Sequence, residues 1–465
     1  MAKKVDNVFV DRFYDGPPLV SRDAVREWQL KRIKDLLKHI WNNSLFYRRK
    51  LEEADVTPGS VKSLEDFSAR VPTVDKLDFL EDQEENPPFG GRLSIPGEKI
   101  RQIHLTSGTT GIGQEVYAFS DSDMDLMRRA WTSHLETQGV GLGDISVLTW
   151  PVGTATASLN VYEACREMGV ICMAVGNYDV ETKITFMKRF SPHHMVASPT
   201  YLVRMAMACK QKGIYPRRDF PRLKAISIAA EPYPIEWAIR MQEFWDCPII
   251  DCYGSTQSGG LIGFCCPQGL IRGGGRGSIH LTEAYTYVEV LNPDSNEPVD
   301  YGQDGEVTIT ILPRQGTPVV RFRMRDKVHI FPAGACDCGS SFDFLEAGTI
   351  GRYDDMIKIK VCNIWPQTVD NIVFAYPEIE EYNGVVYVGE DGSERVKIRV
   401  EYLAEVTDRE LKGRIAKKLR EKIRSQTQVS MSVEEVPRDT LEKALFKSRR
   451  WKDKRVEGLG EIAKK

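Results

Sequence analysis

Apolar and polar positions divide this chain into segments of different period. Between Ser21 and Ala54, Ile33, Leu36, Leu37 and Ile40 recur at helical spacing with charges between them, which predicts one packing helix. A Pro/Gly-punctuated stretch through Pro87, Pro88, Gly90 and Gly91 predicts loops over the body. From about Ile145, apolar runs (ISVLTW, VICMAV, HHMVASP, LKAISIAAE, CPIIDCYG) are separated by amphipathic stretches such as YLVRMAMACKQKG and PIEWAIRMQEFW. That alternation predicts a parallel sheet covered by helices, whose ligands sit beyond the carboxyl ends of the strands. At residues 285–330, YTYVEVLNP and GEVTITIL read as strands of a smaller antiparallel unit. Beyond GRYDDM, a hairpin (VVYVGEDGSERVKIRVEYL), a helix (DRELKGRIAKKLREKIRSQT) and a returning strand (VSMSVEEVP) predict a compact α+β domain. The expected class is α/β. Residues 1–353 form a large N-terminal domain of helix-covered parallel sheets with a small β-rich unit, and residues 354–465 form a small α+β domain.

Bulk composition narrows the function. Across 465 residues, 63 Lys and Arg stand against 66 Asp and Glu, a formal net charge of -3. Without a basic excess, a nucleic-acid-binding protein is not expected, and the basic helix near the C-terminus reads as a solvated face. The opening MAKKVDNVFVDRFYDG lacks the apolar run of a secretory signal. No stretch approaches the roughly 18–20 apolar residues of a membrane helix. A cytoplasmic protein with no membrane or nucleic-acid partner is expected. Its ten cysteines should be thiols or metal ligands rather than disulfides.

Chemistry concentrates first at LTSGTTGIGQE, residues 105–115. Glycine lets the backbone approach a polyanion, and hydroxyl and N–H groups hydrogen-bond phosphate oxygens. It is not a Walker loop, since no Gly-Lys-Ser/Thr ends it. Four thiols and an imidazole form a second set: Cys265, Cys266, His280, Cys336 and Cys338. Either Cys265 or Cys266, with His280, Cys336 and Cys338, offers the donors of a closed tetrahedral zinc centre, or the thiols are unrelated and buried. Cys165, Cys172, Cys209, Cys247 and Cys362 fall in apolar runs and read as core thiols.

Thr106-Ser107-Gly108-Thr109-Thr110-Gly111 resembles the phosphate loop of the adenylate-forming ligases, the superfamily of acyl-CoA synthetases and firefly luciferase. Four further segments resemble that family's signatures, in order: Ala230-Glu231-Pro232; Asp251-Cys252-Tyr253-Gly254-Ser255-Thr256-Gln257; Arg321-Phe322-Arg323-Met324-Arg325-Asp326; and Gly351-Arg352-Tyr353-Asp354-Asp355-Met356. The opening helix, the AEP loop and the closing PRDTLEKALFKSRRWKD resemble phenylacetate–CoA ligases over nearly the whole chain.

The resemblance implies ATP-dependent activation of a small carboxylic acid as its acyl-AMP, then transfer to CoA. Ser107, Thr109 and Thr110 would hold the β/γ-phosphates. Tyr253 would stack on adenine, with Asp251 near the exocyclic amine and Ala230, Glu231 and Pro232 lining the adenine side. Asp326 would accept from the ribose hydroxyls, and Arg352 would sit near ribose or phosphate. Thr256 would help bind Mg²⁺, with Gln257 beside it. Lys447 keeps the family's Lys, Arg and Asp spacing and would reach the α-phosphate and carboxylate; Lys443 is the other choice. The resemblance also implies a C-terminal lid domain that rotates about Asp354, the metal set as structural zinc, and a possible homodimer. The acyl pocket falls on Trp150, Pro151, Val152 and Gly153 with Ala229, where Trp150 would make an aromatic wall for an aryl acid.

Three residues depart from the family pattern. Ile112 replaces a phosphate-loop lysine, Gln257 a glutamate, and Val361 a glycine beside the pantetheine path. An amide still offers Mg²⁺ a carbonyl oxygen, but a weaker one than a carboxylate. These departures leave three readings: an aryl-acid–CoA ligase, an adenylating enzyme that acylates an amine or a carrier protein, and a degenerate binding protein.

Overall fold

The computed structural model describes residues 9, 14–106, 113–153, 156–353, 357–359, 362–389, 393–441 and 450–454. The chain divides into two compact units. One comprises Met1–Ala230 with Met241–Ile350, and the other Glu231–Arg240 with Gly351–Lys465.

The expected helix over 21–54 is two helices, α1 (Arg22–Asn43) and α2 (Leu45–Glu53). Ser44 makes the break. Its N–H donates to the Ile40 carbonyl at 2.9 Å, closing α1, while its hydroxyl accepts from the Tyr47 N–H, opening α2. Helices α3 (Leu64–Arg70) and α4 (Lys76–Glu85) follow, then a hairpin of strands β1 (Gln102–Leu105) and β2 (Val116–Phe119), then α5 (Asp121–Thr137). Ser120 and Asp123 form a capping box at the head of α5.

The body continues with β3 (Ile145–Leu148), α6 (Thr156–Met168), β4 (Ile171–Ala174), α7 (Val180–Phe190), β5 (His194–Ala197), α8 (Pro199–Gln211), the single turn α9 (Pro216–Asp219), β6 (Ala225–Ala229), α10 (Ile235–Trp245) and β7 (Ile249–Ser255). Strands β4, β3, β5, β6 and β7 lie side by side and parallel, as the alternating pattern predicts. All four residues of β5 are buried, as expected of a strand covered on both faces.

The antiparallel part is not a separate unit. After β8 (Gly260–Cys265) and the small β9 (Ile271–Arg272) and β10 (Gly275–Arg276) pair come β11 (Ser278–Leu281), β12 (Thr286–Leu291), β13 (Asp304–Ile311), β14 (Phe322–Phe331) and β15 (Phe344–Glu346). One mixed sheet runs β12-β13-β14-β15-β11-β8-β7-β6-β5-β3-β4. The change of direction occurs between β7 and β8, where a tight connection lets β8 return antiparallel along β7. The sequence pattern shows strand type and spacing but not that β7 supplies the edge on which the second set grows.

In the second unit, β19 (Ile379–Val388) and β20 (Glu394–Tyr402) form the expected hairpin, β21 (Met431–Glu435) returns parallel to β20, and β22 (Trp451–Asp453) adds parallel to β19; β16 (Gly351–Arg352), β17 (Ile357–Ile359) and β18 (Cys362–Ile364) precede them. Helix α11 (Pro366–Val373) and the basic helix α12 (Arg409–Thr427) contribute Val369, Ile372, Ile415, Leu419 and Ile423 to the core. Among the described residues, no helix is long and apolar enough to cross a membrane.

Candidate nucleotide site and thiol–imidazole cluster

The β1–β2 hairpin carries the Gly/Thr-rich loop, of which Thr106 is described; Ser107, Gly108, Thr109, Thr110, Gly111 and Ile112 lie outside the described residues. The loop's base is tied shut. Thr106 N–H donates to the Glu115 carbonyl at 3.1 Å, Glu115 N–H to Thr106 Oγ1 at 2.9 Å, and Gln114 Nε2 to the Thr106 carbonyl at 2.9 Å.

Strand β7 supplies the next residues by simple alternation. Asp251 and Tyr253 share one face, and Cys252 takes the other. Asp251 is buried and accepts from Gly348 N–H at 3.2 Å. Tyr253 OH donates to Asp326 Oδ2 at 2.5 Å, joining β7 to β14. The Cys252 thiol lies 3.6 Å from His134 Nε2, in the layer under α5. Gly254 sits where β7 shifts register against β8, and a Cβ there would stand 2.3 Å from the Gly260 carbonyl oxygen. Ser255 N–H and the Ser258 hydroxyl bond at 3.1 Å, folding Thr256 and Gln257 into a turn closed by Gly259 N–H to the Thr256 carbonyl.

That turn is bonded to the loop hairpin. Gln257 Nε2 donates to both Glu115 oxygens, at 3.2 and 3.0 Å. Tyr117 OH donates to Glu115 Oε1 at 2.8 Å. Arg314 donates from Nη1 to the Gln257 carbonyl at 2.6 Å and lies over the rings of Tyr117 and Phe119. Burial lowers the Arg314 pKa to about 10 against the pull of Asp123, so it remains a cation at neutral pH. Glu115 ends the LTSGTTGIGQE segment but is given no role of its own there, and Tyr117 and Arg314 do not appear among the residues that sequence reasoning singled out. The available signal was a charge inside the strand-like run GQEVYAF, where burial forces a partner.

Ala230, at the end of β6, has a φ of 80°, a left-handed conformation that costs a non-glycine residue energy. Glu231 and Pro232 follow it in the chain, within the second unit. Ala229 is half-buried. At the carboxyl end of β3, Trp150 is 3% exposed, whereas Pro151, Val152 and Gly153 are exposed. The buried Lys183 donates to Tyr201 OH at 2.8 Å and to the Gly176 carbonyl at 3.0 Å; burial lowers its pKa to about 8. Arg352 is half-buried in the second unit. Asp354, Val361, Lys443 and Lys447 lie outside the described residues.

The thiol set comes together around Cys266. One ligand atom from each of Cys266, His280, Cys336 and Cys338 lies within 4.8 Å of every other. Cys265, one residue earlier on β8, faces the interior beside Asp251 and is not in the group. His280 Nδ1 is 2.8 Å from the Phe342 carbonyl and Nε2 is 3.3 Å from Cys338 Sγ. A carbonyl can only accept, so Nδ1 carries the proton there and Nε2 faces the sulfurs. Burial alone would lower the His280 pKa, but the thiols of Cys336 and Cys338 outweigh it and raise the pKa to about 9. Three sulfurs and an oriented imidazole are the donors used by closed zinc centres.

Similarity to known proteins agrees with this geometry. Residues 25–310 match the model of the AMP-binding enzyme family, and residues 361–455 match the AMP-binding enzyme C-terminal domain. The phenylacetate-coenzyme A ligase of Aromatoleum evansii is 26% identical over 419 residues, covering 89% of this chain and 90% of that protein. The enzyme of the same name from Pseudomonas putida is 25% identical over 393 residues, covering 84% and 85%. Among solved structures, 2-hydroxyisobutyryl-CoA ligase in its postadenylation state superposes with a TM-score of 0.83 at 24% identity, covering 97% of both chains. The matched span exceeds half the chain, and this protein belongs to the AMP-binding enzyme family of adenylate-forming ligases.

Proposed function

We propose that this protein joins a small aromatic carboxylic acid to AMP, releasing pyrophosphate from ATP, and then passes the acyl group to the thiol of CoA. The observation that carries the reading is the Tyr253–Asp326 pair, bound through Gln257 and Glu115 to the base of the phosphate-loop hairpin. It holds Tyr253 and Asp326 in the same unit as the base of the Gly/Thr-rich loop, which supports a nucleotide site there. The phenylacetate-coenzyme A ligases, about a quarter identical along most of the chain, support the acid class and the thiol acceptor.

A carboxylate attacking the α-phosphorus needs no general base, so catalysis rests on alignment and charge neutralisation. Asp326 accepts from the ribose hydroxyls while Tyr253 OH holds its second oxygen. Thr106, Ser107, Thr109 and Thr110 bind the leaving phosphates. The Thr256 hydroxyl and the side-chain amide oxygen of Gln257 are hard donors that suit Mg²⁺. Magnesium, when bound, neutralises charge on the phosphates. Lys447 and Arg352 complete the cationic side, and Asp354 is the hinge for the second step. Trp150 closes the acid pocket. The cluster of Cys266, His280, Cys336 and Cys338 holds a structural Zn²⁺.

A panel of aryl acids tested for ATP–pyrophosphate exchange, then with CoA, with amines and without acceptor, decides between the readings. Exchange with an aryl acid plus acyl-CoA formation is expected. Exchange without acyl-CoA would replace CoA by an amine or carrier-protein acceptor, and no exchange with any acid would overturn adenylation.

A further inference from the structure

Gln257 stands where the resemblance implies a glutamate, and its amide is held by a carboxylate 142 positions away in sequence. We infer that Glu115 is a positioning residue for metal binding: it fixes the orientation of the Gln257 amide, so that Oε1 is the end left to bind the divalent cation accompanying ATP. The inference rests on the proposed adenylating function with Gln257 at the metal position.

The two ends of a glutamine amide are nearly equal in shape and opposite in chemistry. An ionised carboxylate accepts only, so the end facing Glu115 must be the –NH₂. Both Glu115 oxygens receive it, at 3.2 and 3.0 Å, and a flipped amide would set three oxygens against one another. Glu115 cannot swing away. It is fully buried, its side chain is held by Tyr117 OH and its backbone is bonded in both directions to Thr106. Gln257 is clamped from the other side, where the buried Arg314 takes its backbone carbonyl.

With the –NH₂ fixed, Oε1 is turned away from the carboxylate, and among the described residues none donates to it. The charge on Glu115 does further work through the amide. A negative neighbour on the N–H side polarises the group and raises electron density on its oxygen, which strengthens a hard donor. Glu115 itself is an unsuitable ligand, because it is fully buried and one of its oxygens already accepts two hydrogen bonds. The carboxylate therefore acts from behind the amide rather than on the metal.

The test measures Mn²⁺ binding to the full-length protein saturated with a non-reactive α,β-methylene analogue of ATP, by electron paramagnetic resonance. Glu115→Gln should weaken Mn²⁺ binding about tenfold, the loss typical when a group that orients a metal ligand is removed. Nucleotide binding without metal should not change. The reversed pair Glu115→Gln with Gln257→Glu should restore Mn²⁺ binding, because an amide at 115 then donates to a carboxylate at 257. Wild-type Mn²⁺ binding in Glu115→Gln, alongside weakened binding in Gln257→Ala, would overturn this inference and leave the proposed function standing. Unchanged binding in Gln257→Ala would instead remove Gln257 from the metal site. Should Glu115→Gln fail to fold, Glu115→Asp, whose shorter side chain draws the carboxylate back from the amide, decides: weakened Mn²⁺ binding supports the inference and wild-type binding overturns it.

Discussion

Asp326 is a buried carboxylate tied to strand β7. It is 6% exposed, and one oxygen already accepts from Tyr253 OH. Under the proposed function, Asp326 accepts from the ribose hydroxyls. Asp326→Asn turns one oxygen into a donor that meets either the tyrosine hydroxyl or the ribose. The apparent KM for ATP in pyrophosphate exchange should rise at least tenfold, equivalent to losing about 1.4 kcal/mol of hydrogen bonding to a charged group, with a smaller change in KM for the acid. An unchanged KM for ATP would place the ribose elsewhere. Asp326 could be singled out in the sequence because it ends an ordered motif. Glu115 could not, because its partner lies 142 positions further on and no local period links them.

At the level of elements, the strands and helices follow their periods, and the misreadings come from single residues. Ser44 ends one helix and starts the next without a Pro or Gly to mark it, since Ser works as a cap through its side chain rather than its backbone. The choice between Cys265 and Cys266 was likewise open, because it depends on which side of β8 faces the other thiols. Strand alternation puts neighbours on opposite faces, and only the pairing of β8 with β11 fixes which one joins His280. The cluster links the end of β8, the middle of β11 and the loop after β14. Purified protein should carry about one equivalent of zinc, and Cys336→Ser should lose it together with several degrees of melting temperature. Metal content below a tenth of an equivalent in protein purified without chelator would count against the centre.

On the scale of the whole molecule, the core of the first unit contains a polar thread. Ser227 Oγ lies 2.6 Å from His134 Nε2 and 2.7 Å from His194 Nε2, and Ser146 Oγ lies 2.8 Å from His194 Nδ1. All four side chains are buried, and the chain of bonds is satisfied with one proton on each imidazole. Burial lowers both histidine pKa values, that of His194 to about 3. Each histidine gains a proton below about 6.5 when unfolded but stays neutral when folded, so stability is complete above that pH and falls as pH drops from 6.5 towards 3. The melting temperature should decline steadily between pH 6.5 and 4.5, and less steeply in a His194→Asn variant. Parallel curves for the two proteins would remove His194 from the effect. Fold class was legible from the alternating runs, but the single continuous sheet was not, since sheet order depends on pairings remote in sequence.

That order has a consequence during synthesis. Strand β15 lies between β14 and β11, pairing Leu345 with both Ile330 and Ile279. Until residues 344–346 leave the ribosome, β11 has no partner on that side, although every residue of β11 is buried in the finished protein. A nascent chain stalled or truncated between β11 and β15 therefore displays an unpaired strand edge, the kind of surface to which chaperones and other unfinished chains adhere. Three residues near the end of the first unit thus set how long the growing polypeptide remains vulnerable.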